Sequence, residues 1–86
     1  MKSSAVTVTT SPTLLVEKDE TNRYVYLHIV GNSTVFLGGS DVSTSNGLAT
    51  EKHTTPLEIF LPINERLYGI VETGTEDVRV LTPDLD

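Results

Sequence analysis

The chain has no cysteine and no tryptophan, and only six of its 86 residues are Lys or Arg. Without cysteine, neither a disulfide nor a thiolate metal site can add stability. The formal net charge of −6 at pH 7 argues against nucleic acid as a partner, because phosphate binding needs clustered basic side chains. The first residues enter alternating valine and threonine without a long apolar run. We therefore expect no signal peptide, no membrane partner and a product that is soluble where it is made.

A chain of this length hides only about 60 to 65 per cent of the surface that its unfolded state exposes. We expect one small domain, residues 1–86, with a thin core that association with other subunits completes. Residues 1–5 are expected to form a flexible N-terminal arm, and residues 82–86 a flexible acidic tail.

Apolar and polar residues alternate along most of the chain, and nowhere do apolar residues keep helical spacing for three turns. This pattern predicts an all-β fold, a single small antiparallel β-sandwich or barrel of about eight short strands. The strands are predicted at residues 6–9, 13–17, 23–30, 34–38, 41–44, 57–61, 67–73 and 77–81.

Glycine and asparagine mark the turns between these strands. Residues 31–33 and the segment around Gly74 are each expected to close a hairpin. Asn46 and Gly47 suit a type I′ turn, in which both central residues have positive φ. The stretch from residue 48 to 56 has no strand pattern, and its length indicates a mobile loop or a contact arm.

The alternation also predicts which side chains face inward. The aliphatic residues of three strands fall on one side and are assigned to the core: Val25, Leu27, Ile29, Leu57, Ile59, Leu61, Val78 and Val80. The aromatic residues Tyr24, Tyr26, Phe36 and Phe60 then face outward and form a candidate interface, and Tyr68 is a further candidate for an outward position. In the alternative register, Phe36 and Phe60 lie inside a two-sided sandwich.

No residue pattern predicts catalysis. His28, Ser40 and Asp41 are the residue types of a nucleophilic triad, but nothing in their spacing brings them together. Gly38 and Gly39 lack the following Lys and helix of a phosphate loop. They are interpreted as a backbone corner with unusual φ, where Asp41 bonds a neighbouring N–H.

Metal binding is not predicted either. Zinc usually takes four Cys or His ligands, and this chain has two distant histidines. The acidic residues do not follow the pattern of a calcium loop. Glu51, Lys52 and His53 in the long loop are therefore assigned as candidate contact residues and not as ligands. We expect no cofactor.

Several blocks along the chain carry a resemblance to a known family. They are residues 8–15, residues 23–27, the run from Val35 through the Gly38-Gly39-Ser40-Asp41-Val42 corner to Gly47, and residues 67–81. Their order resembles small β-rich accessory proteins of tailed-phage virions, of the capsid decoration (cement) or head-fibre type. Where such sequences often have a link with proline and glycine after the Asn-Gly turn, this chain has Glu51, Lys52 and His53.

The resemblance implies a non-enzymatic role on the virion exterior. A decoration protein binds the outer surface of the assembled capsid and stabilises contacts between major capsid subunits. Its implied partners are the major capsid protein and further copies of itself, as a homotrimer or a dimer, after synthesis in the host cytoplasm. The alternative is a tail or fibre component that binds a host glycan or receptor, since exposed tyrosines on a β-face suit sugar stacking.

Overall fold

The computed structural model describes residues 1–83, and residues 84–86 of the predicted acidic tail lie outside the described residues. Over residues 1–83 the chain forms eight β-strands and no helix, which confirms the predicted all-β class. The strands are β1 (Lys2–Val8), β2 (Thr13–Val16), β3 (Arg23–Ile29), β4 (Val35–Gly38), β5 (Leu48–Thr50), β6 (Leu57–Leu61), β7 (Leu67–Val71) and β8 (Glu76–Thr82).

The strands form two four-stranded antiparallel sheets that pack face to face as a β-sandwich. Sheet A has the strand order β1-β8-β3-β6, and sheet B has the order β2-β7-β4-β5. Within residues 1–83, β4 and β5 are the one pair of consecutive strands that are neighbours in a sheet. Every other described connection crosses from one sheet to the other, so both sheets are assembled from distant parts of the sequence.

The core lies between the sheets and consists mainly of valine, leucine and isoleucine. It includes the inward residues that the alternation predicts on β3 and β8, with Leu57 and Ile59 packed partly buried against them. Its most enclosed side chains, each less than 2% exposed, are Val8, Val25, Val35, Val71 and Val78. β-branched residues suit these positions because they fit closely on a pleated surface.

One predicted strand is wrong. Residues 41–44 lie in a loop that contains turns and form no strand, and the strand follows at Leu48–Thr50 inside the stretch predicted to have no strand. The Asn46 Oδ1 accepts a hydrogen bond from the Ser43 N–H at 2.7 Å, and the Gly47 N–H donates to the Ser43 carbonyl at 2.9 Å. These local bonds hold the segment in a turn, where an extended strand would have to give them up.

The two predicted hairpins at residues 31–33 and at Gly74 are also wrong. β3 and β4 lie in different sheets, as do β7 and β8, so these connections cross the sandwich. Alternation identifies a strand but says nothing about its neighbour, because each strand has a buried and an exposed side in either sheet. Gly74 does adopt the left-handed region, with φ 69°, which a glycine tolerates without strain.

The predicted arm at residues 1–5 is mostly strand. Residues 2 to 8 pair with β8 in one unbroken register, from Lys2 opposite Thr82 to Val8 opposite Glu76. Main-chain pairing with β8 orders this segment although Lys2, Ser3 and Ser4 bury little apolar surface. For the same reason Thr82, the first residue of the predicted tail, belongs to β8.

Candidate interaction face

The outer face of sheet A carries exposed aromatic side chains. Tyr24 is 53% exposed, Phe60 50% and Leu81 37%, while Tyr26 is half-buried beside them. The rings of Tyr24 and Phe60 meet edge to face, with centroids 5.4 Å apart and planes at 64°. We call Tyr24, Tyr26, Phe60 and Leu81 the aromatic face.

Strand register brings these four side chains together from three strands. Tyr24 on β3 lies opposite Phe60 on β6, and Tyr26 lies opposite Leu81 on β8. The register is fixed from the inside, because the alternating Val25, Leu27 and Ile29 fill the core. A slip by one residue would turn the tyrosines into the core and the aliphatic residues into water. The outward positions predicted for Tyr24, Tyr26 and Phe60 are therefore confirmed.

Polar groups flank the aromatic face. Glu58 lies opposite Tyr26 on the outer side, and its carboxylate raises the pKa of the Tyr26 hydroxyl by interacting with that hydroxyl and by its negative charge. His28 lies opposite Arg79 in the next row of the sheet. An apolar centre with a polar rim is the usual composition of a protein interface.

A shallow groove of about 450 Å³ runs along one side of the aromatic face. It exists because β1 presents small side chains, Ser3 and Ala5, beside the larger Leu81 and Arg79 of β8. Tyr26, His28 and Pro56 line the opposite side. The sequence pattern does not single out the groove-lining residues of β1 and β8, although the inward assignment of Val78 and Val80 implies that Arg79 and Leu81 face outward.

Phe36 lies on the outer face of the other sheet, opposite Ile70 and Ala49. Although it points outward, Phe36 is half-buried and not exposed. Residues 39–47 fold back over this face and place Val42, 4% exposed, against the sheet. A Cβ on Gly47 would lie 2.6 Å from the Phe36 Cβ and 2.9 Å from a Val42 methyl group. The absence of a side chain at Gly47 thus allows the loop to close over Phe36.

The corner at the start of this loop is built differently from the prediction. Among residues 1–83, Gly74 and Asn64 have the positive φ values, so Gly38, Gly39 and the Asn46-Gly47 pair do not require unusual φ. Gly38 instead leaves room for the loop, since a Cβ there would approach Val42 to 3.0 Å. The capping side chain is Asn46, whose amide also donates to the Asp41 carbonyl at 3.3 Å.

Glu51, Lys52 and His53 are exposed in the connection between β5 and β6, which are edge strands of different sheets. The Thr34 hydroxyl donates to the Glu51 carboxylate at 2.9 Å, which ties the start of this connection to the residue before β4. The three residues therefore lie on the side of the sandwich and not on the aromatic face. Pro56, at the end of the same connection, does line the groove.

Within residues 1–83 two charged side chains are buried, and sequence reasoning missed both. Arg23, 7% exposed, donates to the main-chain carbonyls of Glu17 and Thr21. Glu76, also 7% exposed, accepts main-chain N–H bonds from Gly31 at 2.8 Å, Ser33 at 3.0 Å and Asp77 at 3.0 Å. Both sit on the inward side of their strands, a position that alternation alone could have identified.

The Glu76 carboxylate on β8 holds the connection between β3 and β4 in place by accepting main-chain hydrogen bonds from it. Burial acts to raise the pKa of Glu76, but the hydrogen bonds from the N–H groups of Ser33, Gly31 and Asp77 outweigh it and lower the pKa overall. A Cβ on Gly31 would lie 2.6 Å from a Glu76 oxygen, so only glycine lets the main chain approach this closely. The ionised carboxylate of Glu76 therefore has a structural role.

The residue types of a triad are not brought together. His28 lies on the outer face of sheet A, whereas Ser40 and Asp41 lie in the loop over the outer face of sheet B. Within residues 1–83, no three His, Asp or Glu side chains are close enough to hold a metal ion. The described part of the chain also contains no helix long and apolar enough to cross a membrane.

Comparison with protein-family models, with curated proteins and with solved structures found no significant match to this chain.

Proposed function

We propose that this protein is a phage capsid decoration protein that binds the outer surface of the assembled capsid through its aromatic face. The observation that carries the proposal is the exposure of Tyr24 and Phe60, each about half exposed, at one end of the outer face of sheet A. The resemblance of the sequence blocks to accessory virion proteins supplies the partner, the major capsid protein.

The geometry favours binding to a protein surface. Tyrosine and phenylalanine are enriched in interfaces because they bury a large area while losing few rotamers. The edge-to-face contact between Tyr24 and Phe60 holds the two rings in place before binding, which reduces the entropy lost on association. Glu58, His28 and Arg79 at the margin of the face supply polar groups of both charges, which can select a complementary partner.

Co-sedimentation with undecorated, expanded capsids tests this proposal. The purified chain is expected to pellet at a fixed ratio to the major capsid subunit and to reach saturation. Removing both rings, as Tyr24→Ala with Phe60→Ala, is expected to weaken binding at least about tenfold, because central aromatic residues dominate interface energies.

The matched control removes exposed apolar side chains elsewhere. Leu48, 64% exposed, and Ile63, 48% exposed, lie outside the aromatic face. Leu48→Ala with Ile63→Ala is expected to bind as the wild type does. Unchanged binding of the folded Tyr24 and Phe60 variant, or equal loss in the control, would contradict the proposal.

The groove supports a second candidate, a tail or fibre component that binds a host glycan. Tyr26 offers a ring for stacking at its wall, while Ser3, His28 and Arg79 offer hydrogen-bonding groups. Glycan-array binding that is lost in Tyr26→Ala, combined with no sedimentation on capsids, would establish this alternative. Capsid binding without glycan binding would reject it.

A further inference from the structure

The edges of the two sheets differ in how they are protected against pairing with another strand. Within residues 1–83 the edge strands are β1 and β6 in sheet A, and β2 and β5 in sheet B. A free edge presents unpaired main-chain groups, and proteins block such edges with short strands, prolines, bulges or charges.

Three of these edges are blocked. β2 is preceded by Pro12, and its register shifts between Leu14 and Val16. β5 is three residues long. β6 lies between Pro56 and Pro62, which cannot donate a main-chain hydrogen bond at either end.

β1 has no proline and no bulge, and it is longer than the other three edge strands. It runs for seven residues without proline, and its pairing with β8 is regular throughout. Its first four residues, from Lys2 to Ala5, are exposed, and Lys2 is the one charged residue in the strand. Val8 at the C-terminal end of β1 is buried, and the Thr9 carbonyl just after the strand accepts a hydrogen bond from the Val71 N–H, so the accessible edge is the N-terminal part.

We propose that the accessible edge of β1 pairs antiparallel with β1 of a second copy of this chain, with Ser4 at the two-fold axis. The two copies of sheet A then join into one continuous eight-stranded sheet. This pairing is independent of the proposed capsid binding, because it uses the main chain of β1 and not the aromatic face.

The composition of β1 suits a second copy. In the antiparallel register centred on Ser4, Lys2 lies opposite Val6 and Ser3 lies opposite Ala5, so the two lysines are at opposite ends. The strand has no acidic residue, although the whole chain has a formal net charge of −6. The negative charge that makes two copies repel elsewhere is therefore lacking along this edge.

The comparison of edges also favours a dimer over the homotrimer that the resemblance implies. A two-fold pairing uses the same edge from both copies. A trimer built by strand pairing needs two different edges on each copy, and every other edge is short, bulged or bounded by proline.

Disulfide trapping tests the register directly, since the natural chain has no cysteine. Directly opposed residues in an antiparallel pair have Cα atoms about 4.5 to 5.5 Å apart, within the range that a disulfide spans. Ser4→Cys is expected to give a covalent dimer at micromolar concentration under mild oxidation. Ser45→Cys, at an exposed turn residue, is the matched control and is expected to cross-link at least about tenfold more slowly.

Sedimentation equilibrium of the wild-type chain provides the second measurement. A concentration-dependent change from monomer to dimer mass, lost in Ser4→Pro when circular dichroism shows that variant folded, supports the proposal. A wild-type monomer at millimolar concentration, a trimer, or equal cross-linking rates for Ser4→Cys and Ser45→Cys would overturn it.

Discussion

The two sheets treat the aromatic residues on their outer faces in opposite ways. On sheet B, Phe36 is covered by the chain's own loop, with Val42 buried beside it. On sheet A, Tyr24 and Phe60 stay about half exposed, and no described segment folds back over them. An aromatic residue on the outer side of a strand can therefore be covered by the chain itself or stay exposed. The conformation of the neighbouring connection determines which of the two occurs.

The largest expected effect comes from the same substitution on the two faces. Phe36→Ala is expected to lower the free energy of unfolding by about 3 kcal/mol, because it leaves a cavity under Val42 and Gly47. Phe60→Ala is expected to lower it by less than about 1 kcal/mol, since the ring is already half in water. Urea unfolding followed by circular dichroism measures both. Equal losses would show that the two faces do not differ.

A smaller difference in stability is expected between a buried glutamate and a glutamate on the aromatic face. Glu76→Gln is expected to cost about 2 kcal/mol at pH 7, because a buried carboxylate loses charge-assisted bonds from three N–H groups. Glu58→Gln on the aromatic face is expected to change stability by less than about 0.5 kcal/mol.

The pH dependence separates the two glutamates further. The folded pKa of Glu76 is lowered, so its contribution is fully present above the unfolded carboxyl pKa and is lost as pH falls through the folded value. The stability gap between wild type and Glu76→Gln is therefore expected to shrink in acid. A gap that stays constant between pH 7 and pH 3 would show that the charge of Glu76 contributes nothing.

The smallest expected effect is spectroscopic and concerns the aromatic face alone. The Glu58 carboxylate raises the pKa of Tyr26 by its interaction with the hydroxyl and by its negative charge. Glu58→Gln is expected to lower the midpoint of that tyrosine's ionisation, followed by the ultraviolet absorbance of the phenolate in an alkaline titration. Tyr26→Phe identifies the transition that belongs to this residue. An identical Tyr26 midpoint in the wild type and in Glu58→Gln would mean that the pair does not form.

Alternation predicted the core and the outward tyrosines because a side chain in a strand has only two directions. It also predicted that Phe36 points away from the core, and this is correct because Val35 and Leu37 on either side of it are in the core. Its covering could not be predicted from this pattern, because the cover depends on Gly47 and Val42 in a segment that itself alternates like a strand. Local hydrogen bonds of Ser43 and Asn46 decide that conformation.

Pairing between strands was much harder to predict. Gly31 and Gly74 indicated turns, and both do mark connections, but the assumption that these turns join neighbouring strands failed. What decides the path after Gly31 is Glu76, far away in sequence, whose carboxylate binds the N–H groups of that connection. A turn residue reports local backbone geometry, whereas sheet membership depends on such distant contacts.

The position of β8 has a further consequence, for folding kinetics. β8 lies between β1 and β3, so β1 cannot pair in sheet A, nor join the β3–β6 pair, before the distant β8 arrives. Since most consecutive strands belong to different sheets, a growing nucleus gains little from local hairpins. Chains dominated by such non-local pairing refold in milliseconds to seconds, and we expect this protein to refold on that timescale.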